Sequence, residues 1–174
     1  MLTDESGPYA DSAGPGSILA AEMAVADFGG AVKGRKIEIV HADTQNKPDV
    51  ASSIARRWFD TEGVNAIVDL PVTPIAAAVQ QLAKEKNRTV MITASATSDF
   101  TSKWCSPVST HWADDSHALA AGTAKAISAD GPKSWYFVTV DIAFGAALQR
   151  DATEVIEATG GKVLGVSKHP VNAP

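Results

Sequence analysis

Along the chain, short runs of apolar and β-branched residues alternate with longer stretches whose apolar positions recur at helical spacing. Ser17 to Phe28 is apolar almost throughout, begins after Gly14-Pro15-Gly16 and stops at Gly29-Gly30, which predicts a helix with a glycine end. Ile37 to Ala42 is short and β-branched and reads as a strand. Asn46 offers an N-cap with Pro48 in the first turn. Val50, Ile54, Arg57-Trp58 and Thr61 then keep the helical period until Gly63. The pattern recurs: a strand over Val64–Leu70, a helix opened by Thr73-Pro74 and running to about Lys86, and strands over Thr89–Thr93 and Val108–Trp112. Next come a helix from about Asp115 to Ala129 broken by Gly131-Pro132, and a strand over Ser134–Val140. A helix over Phe144–Thr159 and a strand over Lys162–Lys168 close the series.

Strands separated by helices of ten or more residues predict parallel βαβ units, hence an α/β fold with a parallel sheet and helices layered on it. The chain is expected to pass from one α/β lobe to another near Trp112 to Asp115, giving an N-terminal lobe over 1–113 and a partial second lobe over 114–174. Met1-Leu2-Thr3-Asp4 reads as the tip of a first strand whose body is missing, and Pro170 to Pro174 reads as a loop with no closing helix. A fragment of this kind is expected to leave sheet edges unpaired and to self-associate through them.

Charge and composition narrow the partners. A net charge of −5, with Lys33-Gly34-Arg35-Lys36 as the densest basic stretch, argues against a nucleic-acid surface. No apolar run reaches the roughly 18 to 20 residues needed to span a bilayer, and no signal peptide is visible in this chain. The single Cys105 excludes an internal disulfide and a multi-cysteine metal site.

Motifs for catalysis are missing. The chain has no phosphate-binding P-loop, no G-x-S-x-G elbow, no S-x-x-K and no H-E-x-x-H. Gly14-Pro15-Gly16 lacks the third glycine of a dinucleotide fingerprint. His111, Asp114, Asp115 and His117 are the one grouping that suggests a metal, but the spacing puts the two histidines on different helix faces, and an acidic N-cap accounts for the aspartates. No cofactor and no catalytic residue is expected. What remains is the set of loops after the strands: Asp4 to Tyr9, Asp43 to Asn46, Asp69 to Pro74, Thr93 to Thr97 and Asp141 to Phe144. Open α/β sheets bind ligands at such loops. Thr73 is either a helix cap alone or a cap that also presents an anion to the helix start. Thr93-Ala94-Ser95-Ala96-Thr97-Ser98 is either a plain polar turn or a cradle of hydroxyls and carbonyls for a carboxylate or an ammonium group.

Ser6-Gly7-Pro8-Tyr9, the run Ala20 to Gly30, and Gly34 to Asp49 resemble the opening of type I periplasmic binding proteins of the Leu/Ile/Val-binding family. Asp141-Ile142-Ala143-Phe144-Gly145 and Gly160 to Gly165 are similar to its second-lobe landmarks. The resemblance implies two α/β lobes, export to the periplasm, and delivery of a small carboxylate-bearing ligand to an ABC permease in the membrane. Carried over by position, Thr73 matches the hydroxyl that grips the ligand carboxylate, and Ser95 and Thr97 match the loop that binds carboxylate and amine. Phe144 matches an aromatic near the ligand, while Tyr9 and Ser12 fall in a first-lobe loop near the cleft mouth. Asp69-Leu70-Pro71 and Phe100 to Pro107 lean toward the aromatic-acid branch rather than the branched-chain amino-acid binders. A ligand-sensing domain of a signalling receptor shares this fold and is the nearest alternative function; a small-molecule enzyme is the more distant one.

Overall fold

The computed structural model describes residues 1–171. Asn172 to Pro174, read from sequence as part of a terminal loop, lie outside the described residues. The chain divides into two compact units, one of residues 1–95 and 106–112, the other of residues 96–105 and 113–171.

In the first unit the strands are β1 (Leu2–Thr3), β2 (Ala31–Val32), β3 (Arg35–Lys36), β4 (Ala42–Asp43), β5 (Ala66–Asp69), β6 (Thr89–Ile92) and β7 (Ser109–His111). Its helices are α1 (Gly14–Asp27), α2 (Pro48–Asp60) and α3 (Thr73–Lys86). Five strands form a parallel sheet in the order β4-β1-β5-β6-β7, and β2 and β3 make a separate antiparallel ribbon. The order places β1 and β5 at the centre, so their carboxyl ends lie where chain direction across the sheet reverses. Leu2, Ile67, Val90 and Ile92 from the strands are buried together with Leu70, and α2 and α3 contribute Ala51, Ala55, Trp58, Ile75, Val79 and Leu82. Continuous apolar runs suit parallel strands covered on both faces.

Two expectations change at this level, and the helix expected to begin after Gly16 starts at Gly14. The strand expected over Ile37–Ala42 is reduced to Ala42–Asp43, because only Leu2 and Thr3 of β1 stand opposite to form ladder pairs. The N-cap of α2 is Lys47 rather than Asn46, which sits at φ 54°, outside the extended backbone an N-cap requires. The apolar helix α1 buries only Gly14 and leaves Leu19, Met23 and the following Phe28 exposed.

The second unit holds a single 3₁₀ turn over Ser98–Thr101, helices α4 (Ser116–Asp130) and α5 (Ala143–Ala158), and strands β8 (Ser134–Val140) and β9 (Lys162–His169). Asp115 caps α4, its Oδ1 accepting from the Ala118 amide at 2.7 Å. The parallel pair β8–β9 turns Trp135, Phe137 and Val163 onto Ala124, Val155 and Ile156 of the helices. Alternation along a strand sends the next residues the other way. Tyr136, Val138, Leu164 and Val166 accordingly stand exposed, Val138 at 74%. The turn from β8 into α5 needs glycine at position 145, since a Cβ there would lie 2.1 Å from the Val140 carbonyl oxygen.

Candidate functional site

Each strand-end loop singled out from sequence does follow a strand, and the first is organised by a buried carboxylate. Asp4 follows β1, and its two oxygens accept from the Gly7 amide at 3.0 Å and the Tyr9 amide at 2.9 Å. Gly7 passes so close that an added Cβ would lie 2.5 Å from Asp4 Oδ1. The Tyr9 carbonyl in turn accepts from the Ala13 amide at 2.9 Å and from the Ser12 hydroxyl at 3.2 Å. Tyr9 is half-buried and Ser12 exposed. Burial, then the charge of Asp4, pushes the Tyr9 phenol up. Asp43, at the end of β4, ties this loop to its own: Oδ1 accepts from the Glu5 amide at 3.1 Å and the Gln45 amide at 2.8 Å, and Oδ2 from the Ser6 hydroxyl at 2.5 Å. Burial opposes its ionisation, but these three hydrogen bonds outweigh it and hold the carboxyl below its usual range.

The end of β5 is built differently. Asp69 and Leu70 both have positive φ, 89° and 63°, a conformation that costs a non-glycine residue about 1–3 kcal/mol. Two main-chain bonds hold the bend: the Leu70 amide donates to the Leu2 carbonyl at 3.0 Å, and the Thr93 amide to the Asp69 carbonyl at 3.1 Å. Asp69 is 1% exposed, yet its Oδ1 receives only a long contact from the Thr93 hydroxyl, 3.4 Å, and its Oδ2 is buried with no hydrogen-bond partner among the described residues. Burial pushes this carboxyl up, and the nearby hydroxyls of Thr3, Thr93 and Ser17 pull it back only in part. The bend aims Leu70 to Val72 into the start of α3.

Thr73 is the first residue of α3, and the N-cap is Val72 with no side-chain cap, so the cap assigned to Thr73 from sequence is corrected. Val72 is in extended backbone, and its carbonyl accepts from the Ala76 amide at 2.9 Å. The amides of Thr73 and Ile75 have no intrahelical partner and Pro74 has none to offer, which leaves a buried threonine hydroxyl beside two donors at a positive helix end. Ser95, also buried, donates its hydroxyl to the Leu70 carbonyl at 2.6 Å, and its own carbonyl lies 2.6 Å from His111 Nε2. Within the first unit, then, Thr73 and Ser95 are linked through the Asp69–Thr73 bend. Arranged in this way, hydroxyl and amide donors suit a carboxylate.

Thr97 and Phe144 belong to the second unit. Thr97 is buried and caps the 3₁₀ turn, its Oγ1 accepting from the Asp99 amide at 3.3 Å. Phe144 lies in the first turn of α5, half-buried. Sequence reasoning named Asp4 and Asp69 only as the first residues of their loops, without the contacts their carboxylates make, and did not single out Asp151. An aspartate three residues before a glycine, as in Asp4 to Gly7, is the signal that would have found the first. Among the described residues no group of three or more His, Cys, Asp or Glu is placed to hold a metal ion, and no helix is long and apolar enough to cross a membrane.

The profile of one family, described as periplasmic binding protein, matches residues 1–174. The chain belongs to this family. No curated protein gives a match, but solved structures do. A periplasmic binding protein from Burkholderia mallei is 44% identical with a TM-score of 0.95. A branched chain amino acid ABC transporter periplasmic ligand-binding protein from Burkholderia xenovorans is 35% identical with a TM-score of 0.85. A solute binding protein of an ABC transporter from Rhodopseudomonas palustris, in complex with p-hydroxybenzoic acid, is 26% identical with a TM-score of 0.88. Each match covers 99% of this chain and 46% of the other, so this periplasmic binding protein chain spans less than half the length of those relatives.

Proposed function

We propose that this chain forms part of an extracytoplasmic, non-catalytic solute receptor that captures a small carboxylate-bearing molecule for an ABC importer in the membrane. The observation that carries the reading is the start of α3, where the Thr73 hydroxyl and the Thr73 and Ile75 amides lie next to the Ser95–Leu70 link at the carboxyl edge of a parallel sheet. Their donors match the two oxygens of a carboxylate, and burial excludes competing water. Solved relatives named for branched chain amino acids and for p-hydroxybenzoic acid support the ligand class. Of the two, the Asp69-Leu70-Pro71 run favours an aromatic acid. Thr97, Phe144, Tyr9 and Ser12 are assigned to the same ligand on the family resemblance alone.

The test is thermal unfolding followed by circular dichroism in the presence of 4-hydroxybenzoate, benzoate or leucine. A ligand at one hundred times its Kd adds about 2.7 kcal/mol to the folded state, and Thr73→Ala is expected to remove most of the shift. No shift with any of the three at millimolar concentration overturns the reading.

A further inference from the structure

Residues 96–105 leave the end of β6 but take their fixed points from the helices of the second unit. Asp151 of α5 is 3% exposed and accepts from the Ser98 hydroxyl at 2.8 Å and the Ser116 hydroxyl at 2.5 Å through Oδ2. Its Oδ1 accepts from Arg150 Nε at 2.9 Å and Nη2 at 2.8 Å. The Ser98 amide donates to Ser116 Oγ at 3.0 Å, and Arg150 Nη2 donates to Ser98 Oγ at 2.9 Å. Arg150 Nη1 and Lys103 Nζ hold the two oxygens of Asp99, each at 3.1 Å. Every polar atom of Ser98 that faces these helices is therefore engaged, and Ser98 is bonded directly to Thr97. Because Thr97 Oγ1 already accepts from the Asp99 amide, its own proton remains to be given to another acceptor.

We propose that Asp151 is the positioning residue of the Thr97–Ser102 segment, fixing through Ser98 the direction in which the Thr97 hydroxyl donates. This rests on the reading of Thr97 as a ligand contact. A 3₁₀ turn of four residues, capped by Thr97 and Ser102, has few backbone bonds of its own to fix one conformation. A buried carboxylate with four donors supplies that constraint, because any displacement of Ser98 takes one of those donors from a desolvated charge. Ser116 and Arg150 act with it, one completing the Oδ2 pair and the other neutralising the charge.

Asp151→Asn, Ser98→Ala and the double variant test this by hydrogen exchange and by calorimetry with 4-hydroxybenzoate. Exchange at the 97–102 amides is expected to rise roughly tenfold more than exchange in β8 and β9, the increment of one hydrogen bond to a charged group. The Kd is expected to rise by a similar factor, the double variant to be no worse than the worse single one, and Ser98→Thr, which keeps the hydroxyl, to restore both readouts. Equal loss of protection in the turn and in β8–β9 would make Asp151 a general stabiliser of its unit and overturn the proposal. So would a loosened turn with unchanged Kd, or single effects that multiply independently. If Asp151→Asn does not fold, Ser98→Ala gives the same decision. Should the wild-type chain bind neither 4-hydroxybenzoate nor leucine, the receptor reading falls, while the exchange comparison still decides whether Asp151 holds the turn.

Discussion

Asp69 and Asp151 are both aspartates almost wholly withdrawn from solvent, and they behave in opposite ways. Burial pushes Asp69 up because the nearby hydroxyls of Thr3, Thr93 and Ser17 offset it only in part and its Oδ2 is bare among the described residues. At Asp151 burial acts in the same direction, but Ser116, Ser98 and Arg150 outweigh it and hold the carboxyl below its usual range. Depth alone therefore does not set a buried carboxyl's charge. The number and quality of donors does. Asp69 also sits in a strained bend, whereas Asp151 lies within regular helix. A strained, under-satisfied group at a strand end is where stability is given up for geometry.

The comparison is tested most severely by removing the satisfied carboxylate. Asp151→Ala leaves the Ser98 and Ser116 hydroxyls without their acceptor and Arg150 with Asp99 as its remaining carboxylate, and is expected to cost about 2–3 kcal/mol, the scale of hydrogen bonds to a charged group with the partly exposed Arg150 discounted for screening, read from urea denaturation. Asp69→Asn should act with the opposite sign, adding about 1 kcal/mol at pH 7 because it removes a buried charge that its neighbours compensate only in part; a loss of stability would mean that Asp69 is better satisfied than its geometry shows. Stability against pH sharpens the contrast further. The folded-state pKa of Asp151 lies below its unfolded value, so its contribution is present above about pH 4 and fades only as pH falls through the lower folded value. Asp69 has a raised folded-state pKa, so stability declines as pH rises from about 4 through that raised value. Asp69→Asn should abolish this decline, at most about 1.4 kcal/mol for each pH unit of separation. The smallest effect is expected for Thr93→Val, which removes a 3.4 Å contact and should change stability by less than about 0.5 kcal/mol.

Much of the fold was legible in the residues. Val64–Leu70, Thr73–Lys86, Thr89–Thr93 and Ser134–Val140 carry local signals, namely apolar runs, a proline at a helix start and glycine stops, and the observed elements begin or end within about two residues of them, the usual slack at element ends. The short β4 was not legible, because strand length depends on the partner as well as on the strand's own residues. Neither was the bend at Asp69-Leu70, since no glycine or asparagine marks these positive φ angles. The strand-end loops followed from alternation, and the family resemblance agrees with the match over residues 1–174. The link from Ser98 to Asp151 spans 53 residues. No local pattern encodes such a pair.

The bare face of β8–β9 has a practical consequence for anyone measuring these effects. Tyr136, Val138, Leu164 and Val166 stand exposed on one face of the β8–β9 pair in this 174-residue chain and offer hydrophobic probes a landing place. Fluorogenic dyes that light up on hydrophobic surface are normally dark with a folded protein and bright with a loosened one. Here they should glow from the first reading, and a melting curve recorded with them would start high and flatten. Ellipticity reports on unfolding without that background.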